Sequence, residues 1–108
     1  FNQPISDWDT SHVKDMSLMF YEAESFNQPI GNWNVSNVID MSYMFAFSEM
    51  FNQPIGDWDV SNVKDMNSMF NSAKNFNQDI SKWNTNIAVY KIDMFANCPI
   101  KEEYKPNF

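Results

Sequence analysis

Residues 26–45 read Phe-Asn-Gln-Pro-Ile-Gly-Asn-Trp-Asn-Val-Ser-Asn-Val-Ile-Asp-Met-Ser-Tyr-Met-Phe, and residues 51–70 read Phe-Asn-Gln-Pro-Ile-Gly-Asp-Trp-Asp-Val-Ser-Asn-Val-Lys-Asp-Met-Asn-Ser-Met-Phe. The two units that these stretches open agree at 15 of 25 positions, so the fold is that of one short unit stacked on copies of itself. Working outward, Phe-Asn-Gln recurs at Phe1, Phe26, Phe51 and Phe76, with Ile5, Ile30, Ile55 and Ile80 four positions later. Trp8, Trp33, Trp58 and Trp83 keep the same register, as do Met19-Phe20, Met44-Phe45, Met69-Phe70 and Met94-Phe95. The chain is therefore one repeat domain, 1–108, with units 1–25, 26–50, 51–75 and 76–100 and a capping tail, 101–108.

Within a unit the apolar period changes. Met16, Met19, Phe20 and Ala23 stand at i, i+3, i+4 and i+7, as do Met41, Met44, Phe45 and Ser48, which predicts a short helix with one apolar face. Asp15, Asp40 and Asp65 precede these stripes, where a carboxylate can accept first-turn N–H groups as an N-cap. Phe1 to Ile5 and its copies carry large groups at alternating positions and predict a short strand, limited by Pro4, Pro29 and Pro54. A unit of one strand and one helix cannot bury its apolar face alone and must stack. The expected fold class is α/β: a right-handed, leucine-rich-repeat-like solenoid of four strand-helix rungs.

The two ends differ. The fourth unit replaces Pro by Asp79, the first stripe Met by Lys91 and Leu18 by Asp93, as a water-facing last rung requires. The first unit opens in full register, so Phe1, Ile5 and Trp8 are expected either to lie on an uncovered rung that invites end-to-end self-association or to be covered by preceding residues of a longer chain. A two-fold contact between first rungs is the expected form, since the charged fourth unit disfavours head-to-tail stacking.

Composition narrows the function. Fourteen acidic residues against seven Lys give a net charge of −7, which repels phosphate backbones and anionic headgroups; nucleic-acid and membrane-surface binding are not expected. With a mean hydropathy of −0.50 the chain has no run able to insert into a membrane. One Cys and one His supply neither a disulfide nor a histidine or cysteine metal cluster. Cys98 falls in the small-residue column of Ala23, Ser48 and Ala73, and His12 in a turn column with Asn37 and Asn62, so both read as structural. Repeated carboxylate pairs make no singular cleft, so an enzyme is not expected, nor any cofactor.

The units quoted above resemble the 25-residue repeat of BspA-like bacterial surface proteins, and the tail from Cys98-Pro-Ile through Lys101-Glu-Glu-Tyr-Lys-Pro resembles the usual end of such arrays. The resemblance implies a relative of leucine-rich repeats that is displayed on the cell surface or secreted. Some members of that family bind host matrix proteins or other cells. It therefore implies a non-enzymatic adhesion or protein-interaction module whose partner is a protein or glycan on host or neighbouring cells. The motif describes the scaffold and carries over no binding residue.

Candidate site residues come instead from what varies between units. Tyr43, Phe47 and Met50 make the second unit apolar at positions expected to face outward, the composition of a partner-binding patch. Asp7 and Asp9, with Asp57 and Asp59 two units on and Asn32 and Asn34 between, form oxygen-rich columns that either bind a partner, hold calcium between rungs, or are solvated. The alternatives to a binding module are an architectural spacer with no ligand of its own and a calcium-stabilised repeat. The invariant Asn and Gln columns, such as Asn27 and Gln28, read as a hydrogen-bonded structural ladder.

Overall fold

Each unit is rich in Asn, Asp and Ser between its apolar landmarks, and such residues offer the backbone local partners that favour turns. In the computed structural model, which describes residues 1–108, every unit is a run of successive turns. In the first unit Trp8 N–H donates to the Ile5 carbonyl (3.1 Å), Val13 to Thr10 (3.0 Å), Met19 to Met16 (3.3 Å) and Ala23 to Phe20 (3.0 Å). The four units stack as layers.

The expected strand-helix solenoid is not the fold. The only helical element is a 3-10 turn at Glu102–Tyr104, and the only strand-like pairings are isolated parallel bridges joining Asp15 to Asp40, Asp40 to Asp65 and Asp65 to Tyr90. With no α-helix and no sheet, the chain is neither α/β nor a leucine-rich repeat.

The reason lies in the backbone of the predicted helix. Leu18 and Glu22 are left-handed, at φ 62° and 56°, and so are Tyr43, Phe47, Ser68, Ser72, Asp93 and Asn97. A left-handed residue at every fourth position cannot belong to a right-handed helix. The N–H groups of Leu18, Phe20 and Glu22 leave their own layer and donate to Ser42, Met44 and Ala46 carbonyls at 2.9–3.0 Å. The i, i+3, i+4, i+7 spacing does mark inward-facing positions: Met41, Met44, Phe45 and Ser48 are all buried. Turns of this kind place side chains inward at the same intervals as a helix would. Asp15 accepts the Ser17 N–H at 2.8 Å, so it closes an Asx turn and not a helix N-terminus.

The predicted strand fails for a different reason. Asn27 N–H donates to Asn2 Oδ1 at 2.9 Å, Asn52 N–H to Asn27 Oδ1 at 3.0 Å and Asn77 N–H to Asn52 Oδ1 at 2.9 Å. A side-chain amide takes the proton that a strand would give to a neighbouring carbonyl, and Gln28, Gln53 and Gln78 brace the same ladder through Nε2. Layers are thus zipped by side chains here and by backbone at the Met-Phe turns. The two glycines, Gly31 and Gly56, both have ordinary φ; each is needed for room, since a Cβ would lie 2.5 Å from the Pro54 or Asp79 carbonyl oxygen of the next layer.

The backbone bonds between layers share a direction. N–H groups at Met16, Leu18, Phe20 and Glu22 donate to the second layer, those at Met41, Tyr43, Phe45 and Phe47 to the third, and those at Met66, Ser68, Phe70 and Ser72 to the fourth. Only the bonds into the Lys14, Ile39 and Lys64 carbonyls, beside the bridges, run the other way.

Aromatic columns fill the interior. Phe45 stacks on Phe51 at 4.2 Å between ring centroids within its layer pair, and on Phe20 and Phe70 at 5.5 Å in the layers on either side. Offset stacking at these separations adds roughly 0.5–1.5 kcal/mol per pair beyond area burial. The tail closes the far end. Ile100 and Pro106 are buried, Ile80 N–H donates to the Tyr104 carbonyl at 3.0 Å, and Lys101 N–H continues the amide ladder onto Asn77 Oδ1 at 3.0 Å.

Candidate functional site

Six of the eight left-handed residues are exposed, Ser68 and Ser72 being the buried pair, and two of the six are Tyr43 and Phe47 in the second layer, exposed by 42 % and 44 %. Tyr21, from the first layer, lies against both. Its ring meets Tyr43 edge-on at 6.3 Å and Phe47 edge-on at 5.9 Å. A groove of about 300 Å³ runs beside them, lined by Tyr21, Glu22, Glu24, Phe47 and Glu49. Three carboxylates and two aromatic rings thus face one shallow space. The Glu22 carboxylate, as hydrogen-bond acceptor, holds the Tyr21 phenol above its ordinary value, with burial and the Tyr43 hydroxyl adding to the shift.

Tyr43 and Phe47 were legible in the sequence as a patch, whereas Tyr21, Glu22, Glu24 and Glu49 were not. Tyr21 precedes Phe47 by 26 residues, one repeat plus one position, so only a comparison of diagonal neighbours across units brings them together. Met50 is half exposed but lies apart from the groove, beside Asn75, whose Nδ2 is 3.8 Å from its sulfur.

The acidic columns have another occupation. Asp9 Oδ1 accepts both the N–H (3.0 Å) and the hydroxyl (2.6 Å) of Ser11, and Asp59 does the same for Ser61. These bonds hold both carboxyls below the usual carboxylate value, the Ser hydroxyl contributing most. Asn34 makes the same pair of bonds to Ser36, which is why the column tolerates Asn. Asp7 and Asp57 are exposed and stand outside these turns. No group of three or more His, Cys, Asp or Glu side chains is placed to hold a metal ion.

Ser11 and His12 sit within reach of each other, Oγ to Nδ1 at 3.2 Å, beside Asp9. The hydroxyl proton is directed at Asp9 and the same Ser turn recurs as Ser36 on Asn34 and Ser61 on Asp59, so the trio lacks the base-to-nucleophile order that a catalytic triad needs. His12 has Asn37 and Asn62 as column mates, whose Nδ2 groups donate to Ser11 and Ser36 carbonyls at 2.7 Å in the layer before. Cys98 Sγ contacts the Phe76 carbonyl at 3.5 Å, and burial pushes its thiol up, away from nucleophilic use.

In the first layer Phe1 and Trp8 are exposed by 60 % and 53 %, while Ile5, expected beside them, is buried. Trp8, Val13, Met16 and Met19 line a groove of about 550 Å³ there. No helix of the chain is long and apolar enough to cross a membrane.

Among known proteins, the family described as "Mycoplasma protein of unknown function, DUF285" matches residues 1–107. No curated protein and no solved structure matches the chain significantly.

Proposed function

For a chain that belongs to the Mycoplasma DUF285 family, we propose a role as a non-enzymatic protein-binding module that grips basic segments of a partner at the Tyr21, Tyr43 and Phe47 surface. The observation that carries this reading is the meeting of Tyr21 and Phe47 with Glu22, Glu24 and Glu49 around one groove. A Lys or Arg head group placed there gains a ring face and carboxylate partners together. At about 300 Å³ this groove stands at the lower end of the roughly 300–1,000 Å³ common for ligand pockets and has room for a Lys or Arg side chain. One such contact is weak, and avidity would come from several basic side chains on one partner. The repeat's similarity to BspA-like surface proteins supports display on the cell surface or secretion, where the partner is a protein of a host or neighbouring cell.

Titration calorimetry with a Lys- and Arg-rich peptide tests the reading, with a Glu-rich peptide and a neutral oligosaccharide as controls. Binding of the basic peptide alone, weakening with salt, is expected. Phe47→Ala should lower affinity roughly two- to fivefold, the scale of an exposed cation–π contact. Equal binding of the acidic peptide, or an affinity indifferent to Phe47→Ala and to Glu22→Gln with Glu49→Gln, overturns it, and preference for the oligosaccharide redirects it to glycans.

A further inference from the structure

One residue before each layer bridge the repeat reads Lys14, Ile39, Lys64 and Val89, alternating charged and apolar from layer to layer. The backbone beneath keeps this column in step, since Ile39 N–H donates to the Lys14 carbonyl and Lys64 N–H to the Ile39 carbonyl, both at 2.8 Å. Parallel bridging of Asp15 with Asp40 and of Asp40 with Asp65 sets neighbouring layers about 4.8 Å apart, so the two Lys stems rise roughly 10 Å from each other. Two residues back, Asn37, Asn62 and Ile87 form a second column. Between the columns lies a groove of about 300 Å³, lined by Lys14, Asn37, Ile39, Asn62, Lys64 and Ile87.

The charges and acceptors of this groove are free. The chain's one ion pair joins Lys105 to Glu102, which leaves Lys14 and Lys64 without a carboxylate partner. Asp15, Asp40 and Asp65, next in sequence to the column, instead accept the N–H groups of Ser17, Ser42 and Asn67 at 2.8–2.9 Å. Asn37 and Asn62 direct Nδ2 to the Ser11 and Ser36 carbonyls at 2.7 Å, and their Oδ1 atoms accept no hydrogen bond. Ile39 and Ile87 are exposed in the same groove.

The groove thus complements a carboxylate at every second layer with an uncharged unit between. An extended peptide is out of step with it, because side chains on one side of a strand recur about every 6.7 Å. A chain of pyranose sugars in equatorial linkage advances by close to one layer per ring, so every second ring returns to a Lys. From these features we infer that the groove binds an acidic glycan in which a uronic acid alternates with an uncharged sugar. Its carboxylates lie on Lys14 and Lys64, the ring between them rests its C–H face on Ile39, and its hydroxyls donate to the Asn37 and Asn62 Oδ1 atoms. Low charge density suits a chain of net charge −7, which repels a polyanion charged at every unit. This groove shares no residue with the one between Tyr21 and Phe47, so the two sites are tested separately.

The probe is a hyaluronan octasaccharide, in which glucuronate alternates with N-acetylglucosamine, followed by amide shifts in an NMR titration. A chitin oligosaccharide, uncharged, and an oligomannuronate, charged at every ring, are the controls. Hyaluronan should move the amides around residues 37–39 and 62–64 and bind more tightly than either control. Lys14→Gln and Lys64→Gln should each weaken binding about two- to fivefold, the scale of an exposed ion pair. Lys82→Gln, exposed and outside the groove, should leave it unchanged. Ile39→Lys, at a position already 44 % exposed, should reverse the order in favour of oligomannuronate. Oligomannuronate binding the natural chain better than hyaluronan overturns the inference, as does a Lys82→Gln variant weakened as much as Lys64→Gln, or groove amides that stay still at the highest hyaluronan concentration. A Glu-rich peptide that displaces hyaluronan overturns it in favour of a protein ligand.

Discussion

The indole Nε1–H of Trp58 donates to the Ile30 carbonyl at 3.0 Å, one layer back, and Ile30 also accepts the N–H of Trp33 in its own layer. Trp33 and Trp83 reach Ile5 and Ile55 in the same way. Trp therefore clamps layers as well as filling space, which explains why no other aromatic occupies this column.

Trp58→Phe should keep most of the packing and lose the clamp, at a cost of about 1–3 kcal/mol, and Trp33→Ala, which empties the site, about 3–5 kcal/mol. Trp8 is 53 % exposed and makes no such bond, so Trp8→Phe in this chain should change stability by less than about 0.5 kcal/mol. Urea melts of the three variants check the order. A Trp58→Phe melt that overlays the natural one would show that the hydrogen bond contributes nothing.

Leu18 is left-handed at φ 62° and more than half exposed. Because that conformation costs an L-residue about 1–2 kcal/mol and glycine almost nothing, Leu18→Gly should stabilise the fold by up to about 1 kcal/mol, the flexibility of glycine in the unfolded chain taking back part of the gain. Leu18→Val, β-branched, should destabilise it. Thermal melts with the opposite order would refute the account of the turns.

Acid should loosen the layers through the Asx turns. Asp9, Asp15, Asp59 and Asp79 are held below the usual value near 3.8, chiefly by hydrogen bonds from Ser11, Ser17, Ser61 and Ser81 side chains. A carboxyl lowered on folding contributes stability above its unfolded value and loses it as pH falls through the folded one. Stability should therefore be level at neutral pH and decline below the usual value near 3.8. The triple variant Asp9→Asn, Asp59→Asn, Asp79→Asn should decline less, since Asn34 shows that an amide can hold the turn without titrating. Chemical denaturation across acidic pH measures both slopes.

Cys98 should be slow to alkylate at neutral pH in the folded chain and fast in denaturant, because burial keeps the thiol protonated. Cys98→Ala should cost no more than about 1 kcal/mol, as Ala23 and Ala73 occupy the same column. Labelling equally fast with and without denaturant would place the thiol outside the stack.

The inside of this molecule was legible in its sequence and the path of its backbone was not. Trp33, Met41 and Phe45 announce themselves as core because a residue that faces its own copy must suit that neighbour, and spacing records the fact. Left-handed backbone usually shows as Gly or Asn, yet of the eight left-handed positions only Asn97 and Asp93 carry residues that favour it. Tyr43 and Phe47 hide the turns behind side chains chosen for the surface, and an apolar spacing shared by helix and turn was read as helix. The groove was half legible for a related reason: columns show in an aligned repeat, but the diagonal from Tyr21 to Phe47 does not.

The shared direction of the interlayer bonds at the Met-Phe turns also makes the stack an electrical object. An α-helix owes its dipole to peptide groups aligned along one axis, each of about 3.5 D. Here, without a helix, the interlayer N–H groups at the Met-Phe turns align in the same way, with the positive end at the fourth layer. Side-chain charge is graded in the same sense, so the two contributions reinforce each other. The molecule should turn in an electric field and meet an anionic surface fourth layer first, which leaves the first layer facing outward; a longer array of such units would be more strongly oriented with every layer added.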